Sequence, residues 1–172
     1  MDWLSTTKHS LAERKSHADL RWWLGSGLKH LGGLTNLTWL DLAYSHVDGP
    51  GLESLQGMKR LHLLRLENTW IDDQGLEHLK GLVEIEEFGL DLSKTNVAGP
   101  GLEQLRGLKG LRDLFLDDTP LDDKGLEHLK GLTQLRSLSV GYTKVTDEGI
   151  RMLRQALPNC DIYRKGNHVG AK

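Results

Sequence analysis

The side chains of this sequence best suited to chemistry are histidines, aspartates and a lone cysteine. His30, His78 and His128 stand at the same phase of a repeated string, a pattern that could stack imidazoles around a metal ion. Side chains two repeats apart are separated by about 10 Å or more, whereas a zinc–histidine bond is about 2 Å long. We therefore expect solvated histidines and no metal site.

The acidic and glycine-rich strings match no catalytic or cofactor-binding motif. The aspartates between 117 and 123 lack the spacing and glycine of an EF-hand loop, although a shared calcium ion stays open as an alternative. Gly25 and Gly27 begin like a dinucleotide-binding turn, but His30 stands where the third glycine is required. The sequence therefore predicts neither a cofactor nor an enzyme.

Cys160 is the sole cysteine of the 172 residues, so the chain cannot form an intramolecular disulfide. Its neighbours, LPNCDIY, place it inward on a final short strand. We expect a buried small hydrophobic residue rather than a reactive thiol.

The elements that position these residues follow from a repeat. The string Gly-Leu-x-x-Leu returns at intervals of 24, 24, 26, 24 and 24 residues, with its glycine at Gly27, Gly51, Gly75, Gly101, Gly125 and Gly149. Such regular self-similarity is the signature of a solenoid, in which stacked units bury a continuous core.

Each unit predicts one strand and one short helix. In the LxxLxL segments the leucines point inward and the residues between them face out, as in Leu37, Leu40 and Leu42. The helix should begin after an N-cap residue. The expected N-caps are Gly49, Asp73, Gly99, Asp123 and Asp147. Its paired leucines, three residues apart, then face the strands.

The unit GLxxLxGLxxLxxLxLxxTxVxDx, as in residues 125–147, resembles the leucine-rich repeat family in its bacterial 24-residue form. The resemblance covers residues 23–163. It implies an α/β fold, a right-handed leucine-rich repeat solenoid with a curved parallel sheet and short convex helices. Ser or Thr stands where the family often has Asn, so hydroxyls should replace the asparagine ladder.

Three regions are expected along the chain. Residues 1–24 are expected to form an N-terminal cap, with an amphipathic helix over 5–20. Residues 25–163 form the solenoid of about five repeats, closed by a C-terminal cap at 150–163 that includes Cys160. Residues 164–172 are polar and glycine-containing, which is typical of a disordered tail.

Composition limits the partners. The net charge of -2, with acids and bases interspersed, gives no electrostatic case for nucleic acid or a membrane. The chain shows no signal peptide and no apolar run able to span a bilayer, so we expect a cytoplasmic, monomeric protein. A fragment of an exported protein stays open as an alternative.

The third repeat departs from the regular spacing by two extra residues, within VEIEEFGLDL at 83–92. An extra residue pair must leave the strand ladder, so we expect a β-bulge there. A tolerated insertion and a bump that shapes a binding face are both possible interpretations.

The second and fourth units share nearly one string, DDQGLEHLKGL and DDKGLEHLKGL, which indicates duplication of a two-repeat unit.

The repeats differ most in the residues that face outward from the sheet, here called the concave strand face. The proposed binding residues on this face are Trp39, Asp41, Tyr44, Leu63, Arg65, Glu67, Asp91, Asp113, Phe115, Asp117, Asp118 and Tyr142. Glu87 is assigned to the outward position of the third repeat. Acids outnumber bases eight to four over the five strand segments.

Large apolar groups that face water lower solubility unless a partner covers them, so Trp39, Leu63 and Phe115 favour partner binding. Lateral packing across the sheet is the alternative reading. The sequence therefore predicts a non-enzymatic protein-binding module, whose acids favour a partner with a basic patch. A carbohydrate or small-ligand receptor, which an open flat sheet disfavours, and a structural spacer of a larger protein are the alternatives.

Overall fold

The computed structural model describes residues 17–19, 28–29, 31–82 and 88–164. Within these ranges seven strands form one sheet, ordered along it as in the chain, and every neighbouring pair is parallel. The strands are β1 His17–Asp19, β2 Trp39–Asp41, β3 Leu63–Arg65, β4 Phe88–Asp91, β5 Leu111–Phe115, β6 Ser137–Ser139 and β7 Asp161–Tyr163. This in-order parallel stacking is that of the solenoid the repeat predicts.

A short helix connects most of the described strands to the next. The 3-10 helices span Pro50–Leu55, Gly75–Leu82, Pro100–Gly107 and His128–Gly131, and the α-helices span Asp123–Glu127 and Asp147–Ala156. The expected helices are therefore mostly 3-10 segments. Each unit has few residues to lead from the end of one strand back to the start of the next, which suits short segments of the tighter 3-10 helix.

The core is a continuous column of aliphatic side chains between the strands and the helices. Leu40, Leu64, Leu90, Leu114 and Leu138, one from each strand β2–β6, have no exposed surface. Cys160 is also buried, 6% exposed, as its sequence position predicts. The inward phase of the leucines is confirmed.

Hydroxyl side chains bind the turn that follows each strand. Five hydroxyls at one repeat position donate a hydrogen bond to the carbonyl oxygen three residues earlier, over 2.6 to 2.8 Å; they belong to Ser45, Thr69, Thr95, Thr119 and Thr143. The residue just before each of them is left-handed, with φ between 53° and 60°. These hydroxyls occupy the place that the resemblance assigns to asparagine.

The N-terminal expectation is wrong where the structure can be compared with it. His17–Asp19 form a strand in register with Trp39–Asp41, although a helix was expected over 5–20. Ala18 pairs with Leu40, so a small residue stands where later strands carry leucine, and the leucine pattern did not reveal this strand. The remainder of the expected cap helix and the expected tail beyond Arg164 lie outside the described residues.

The register shifts beside the insertion of the third repeat. Phe88 pairs with Leu111 but Gly89 pairs with Asp113, so the extra residue is Arg112 on β5, whereas a bulge was expected within residues 83–92. The ladder aligns Leu63 with Gly89. The outward position assigned to Glu87 is therefore occupied by Gly89, because the inserted residues precede the paired part of β4; residues 83–87 lie outside the described ranges.

Gly49 and Gly99 are N-cap residues as expected, whereas the other three helix entries differ from the predicted caps by one residue. Asp72 and Asp122, rather than Asp73 and Asp123, accept the capping hydrogen bond from the glycine three residues on. Thr146, rather than Asp147, caps the last helix. The following aspartates reach the next repeat instead.

Asp73 joins its repeat to the next one. Its carboxylate accepts backbone N–H bonds from Ala98, Gly99 and Gly101, at 3.0, 3.0 and 2.7 Å. Asp123 likewise accepts from the backbone N–H and the hydroxyl of Thr146. The aspartates expected at the helix starts thus hold successive repeats together.

None of the helices in the part of the chain described has the length and apolar character required to cross a bilayer.

Candidate functional site

The acids on the concave strand face are largely used within the protein. Arg65 reaches three carboxylates: Nη1 lies 3.1 Å from Asp41, Nη2 3.2 Å from Glu67 and Nε 3.7 Å from Asp91. Asp41 is only 5% exposed, and it also accepts the backbone N–H of Ala43. The predicted surplus of acid is therefore reduced here, and the buried Asp41 stabilises the sheet surface and presents little charge to solvent.

Glu67 also connects this cluster to the margin of the sheet. Lys94 Nζ lies 2.9 Å from Glu67 Oε1, and the Tyr44 hydroxyl donates to the same oxygen over 2.7 Å. Burial alone would raise the pKa of Glu67, but the bonds from Lys94 and Tyr44 outweigh it and the pKa is lowered. The hydrogen bond to Glu67 raises the pKa of Lys94. Both groups therefore stay charged near neutral pH.

The aspartates after β5 have different roles. Asp117 accepts hydrogen bonds from the Ser139 hydroxyl and the Gly141 backbone N–H, which tie β5 to β6. Asp118 is exposed, at the left-handed position that follows the strand. Of these two, Asp118 is the acid available to a partner.

The apolar residues of the concave strand face lie in two places. Trp39, 37% exposed, pairs in register with Leu63, which is half-buried. Phe115 is half-buried on β5, in register with Asp91 on one side and Ser139 on the other. Trp39 and Leu63 thus pair with each other, while Phe115 stands apart.

A groove connects these two places. One depression of about 470 Å³ is lined by Thr38, Trp39, His62 and Leu63. A second of about 660 Å³ is lined by His62, Leu63, Arg65, Gly89, Asp91, Arg112, Asp113, Phe115 and Arg136. Because His62 and Leu63 line both, the two depressions adjoin each other between β2 and β6, and together they are here called the strand groove.

Five of the residues that line the strand groove were missed in the sequence: Thr38, His62, Gly89, Arg112 and Arg136. Gly89 was displaced by the insertion. The other four stand one residue before the first outward position of their strands, and a strict alternation of inward and outward residues does not count them. The sequence offered one signal for them, which is that they stand at the same position of successive repeats.

Further aromatic side chains lie along the margin that follows the strands. Tyr44, Trp70 and Tyr142 are 54%, 62% and 67% exposed. The Trp70 ring lies 4.8 Å from the ring of His46, at an interplanar angle of 51°. Tyr44 and Tyr142 were predicted to face solvent, whereas Trp70 was not singled out.

Within the described ranges, no group of three or more His, Cys, Asp or Glu side chains is arranged to hold a metal ion. The geometry instead offers an open groove with apolar and charged walls, which is suited to binding.

Comparisons with known proteins agree with this architecture. A family model described as leucine-rich repeat matches residues 33–55 and 131–153. The crystal structure of internalin C2 from Listeria monocytogenes is similar over 78% of this chain and 54% of that chain, with a TM-score of 0.62 and 26% sequence identity. The chain thus spans about half the length of that internalin structure. The search of the curated proteins returned no match.

The matched segments lie in two different units of the array, and the internalin similarity covers most of the chain. Together with the in-order parallel strands and the short helices, these similarities show that the chain has the fold of a leucine-rich repeat solenoid.

Proposed function

We propose that the protein is a non-enzymatic binding module that holds a protein partner in the strand groove. The observation that carries the proposal is the large apolar surface left on the concave strand face, where Trp39, Leu63 and Phe115 line a groove rather than a closed core. Such surface is stabilised when a partner covers it. Leucine-rich repeat proteins commonly bind proteins, which supports the proposal by analogy.

The charges on the two sides of the groove give the partner a preferred orientation. The exposed Asp118 lies where β5 ends, so this margin favours a basic patch on the partner. Arg112 and Arg136 lie near the beginning of β5 and β6. A partner with opposite charges on its two edges would fit this face.

The face can be located with a photo-crosslinking amino acid. It would be placed at Ser137, on the concave strand face, and in a second protein at Glu77, on an exposed helix position. After illumination in lysate, we expect one protein to be crosslinked from position 137 and not from 77, and the crosslink to be lost on Trp39→Ala. Crosslinks from position 77 alone would place the partner on the helix side.

Kinetics on the purified pair should separate two classes of variant. Trp39→Ala and Phe115→Ala should raise the dissociation rate, with a loss of about 2 kcal/mol or roughly thirtyfold in affinity. Asp118→Lys should slow association at low salt and have less effect at high salt. Glu77→Lys is the control and should leave both rates unchanged. Unchanged rates in both aromatic variants would refute the proposal.

One observation favours a second candidate function, a receptor for a small ligand or carbohydrate. The sheet was expected to be flat, but the larger depression of about 660 Å³ falls within the usual range of ligand pockets. A glycan array decides between the two. Saturable glycan binding that is lost on Phe115→Ala, without any protein partner, would support the receptor.

A further inference from the structure

We propose that the strand groove selects an extended partner segment with a large apolar side chain at one end and a carboxylate side chain at the other. The inference rests on the proposed function, since it specifies the part of the protein partner that enters the groove. It follows from the polarity of the groove along its length.

The β2–β3 end of the groove is apolar. Thr38, Trp39, His62 and Leu63 line it, and these four residues include no carboxylate, lysine or arginine. His62 Nδ1 lies 2.8 Å from the carbonyl oxygen of Arg60, which fixes the ring as part of the wall. A large aliphatic or aromatic side chain of the partner matches this end.

The β5–β6 end carries two cations, Arg112 and Arg136. Arg112 Nη1 donates to the backbone oxygen and the side-chain oxygen of Gln134, over 3.2 and 3.0 Å, so the guanidinium is held in place by neutral groups. Its Nε is buried and has no acceptor in the described part of the chain. Within that part, neither arginine has a carboxylate within 4 Å, in contrast to Arg65 with its three.

Among the described residues, the acids near this end do not cancel the two arginines. Asp91 is held by Arg65 and by the backbone N–H of Ser93. Asp113 lines the groove, and its carboxylate accepts no hydrogen bond from a described residue. Within the described ranges one such acid therefore stands against two arginines, and planar guanidinium groups pair well with carboxylates.

The length of the groove sets the spacing of the two features. Neighbouring strands lie about 4.8 Å apart, so β2 is roughly 14 to 19 Å from β5 and β6, which an extended chain spans in about four to six residues. Gly89 lies between the two ends and has no side chain to interrupt the path. A Cβ at this position would lie 3.1 Å from Leu63 Cδ1 and 3.9 Å from Asp113 Cβ. Gly89→Leu should therefore block the groove.

The test is a selection of random dodecapeptides displayed on phage against the whole protein. We expect enrichment of peptides with Leu, Phe or Trp placed about four to six residues from Glu or Asp. One enriched peptide, labelled with a fluorophore, is then measured by anisotropy beside its own Glu→Gln form. Arg112→Gln and Arg136→Gln should each weaken the acidic peptide about tenfold or more.

The arginine variants should also change the affinity for one peptide and not for the other, a pattern that a misfolded protein would not give. Arg112→Gln and Arg136→Gln should leave the affinity for the Glu→Gln peptide unchanged, and Asp113→Asn should strengthen binding of the acidic peptide. Arg106→Gln, on the helix Pro100–Gly107 where Arg106 pairs with Glu103, is the matched control and should change nothing.

Three outcomes would overturn the inference: no groove-dependent peptide, no acidic enrichment, or equal affinity of the two peptides for the unmodified protein. Succinate competing with the peptide at equal affinity would also overturn it, in favour of a small acid. If Trp39→Ala weakens both peptides while the arginine variants do not, the proposed function stands and the acidic preference fails. If peptides bind without dependence on any groove residue, the proposed function itself loses its support.

Discussion

At the residue scale, the sequence predicted the role of a residue correctly where that role depends on one local hydrogen bond or on burial. The hydroxyl column is an example, since each hydroxyl binds a carbonyl within its own repeat. The roles of Asp41 and Arg65 could not be predicted in the same way. Their ion pair joins residues 24 positions apart, so it depends on the packing of side chains from different strands.

Thr119→Val should lower the free energy of unfolding by about 1 to 2 kcal/mol, because the Leu116 carbonyl loses its hydroxyl partner while the side-chain volume is kept. Thr119→Ser keeps the hydroxyl and is the control, with a smaller loss from the missing methyl group. Urea denaturation measures both. A Val variant as stable as the unmodified protein would show that this bond contributes nothing.

Cys160 should react slowly in the folded protein. Burial, together with the charges of Asp161 and Asp113, raises the pKa of the Cys160 thiol to about 11. At pH 8 the thiolate fraction is then about a hundredfold below that of an ordinary cysteine. Alkylation by iodoacetamide, followed by mass spectrometry, should be slow in buffer and fast in guanidinium chloride.

The same shift fixes the sign of a pH effect. Because the folded pKa lies above the ordinary value of 9.0, the contribution of Cys160 to stability falls as the pH rises from about 9 to about 11. Cys160→Ser should reduce this dependence. Equal alkylation rates in the folded and unfolded chain would contradict the assigned burial.

At the element scale, the inward residues of the strands were predicted correctly because alternation has a period of two and one face is buried. Two elements escaped this reasoning. The strand at His17–Asp19 has Ala18 in the leucine position, and Gly89 replaces Glu87 because nothing local shows where an insertion ends and pairing begins.

Glycines allow the helix entries of successive repeats to approach. A Cβ on Gly99 would lie 2.5 Å from the Cα of Gly125, and Gly99 has φ of 142°. Gly99→Ala should therefore lower stability by about 2 kcal/mol or more, from overpacking and backbone strain together.

Gly33→Ala is the matched control for Gly99→Ala. A Cβ on Gly33 meets nothing within 4 Å, so its effect should be neutral or slightly stabilising through the unfolded chain. Thermal unfolding of the two variants compares them directly. If both variants have the same melting temperature, the close approach of Gly99 and Gly125 does not restrict the side chain at position 99.

At the scale of the whole molecule, the array is a row of units in which each contacts its neighbours. Asp73 is the main polar connection between the second and third units, since it accepts three backbone N–H bonds from residues 98, 99 and 101. The cooperativity of unfolding should therefore depend on this carboxylate.

Asp73→Ala should separate the unfolding of β2–β3 from that of β4–β7, because three N–H donors lose their acceptor at one junction. Hydrogen exchange at increasing urea would show two groups of amides losing protection at different concentrations. Asp72→Ala removes one cap bond within a single unit, so it should cost about 1 kcal/mol and leave one transition. A single transition in Asp73→Ala would show that apolar contacts alone couple the units.

The alternation of glycine and aspartate at the helix entries restricts how such an array can change in length. Gly49 and Gly99 each approach the glycine of the following unit, while Asp73 and Asp123 each reach into the unit after their own. The last junction differs, since the unit after Asp123 carries Asp147, and Asp123 accepts two hydrogen bonds from Thr146 there. Gly49 and Gly99 lie 50 residues apart, as do Asp73 and Asp123. Recombination or engineering that splices this protein in steps of two repeats should therefore keep both kinds of junction, whereas removal of the unit around Gly99 takes away the entry whose three backbone N–H groups bind Asp73.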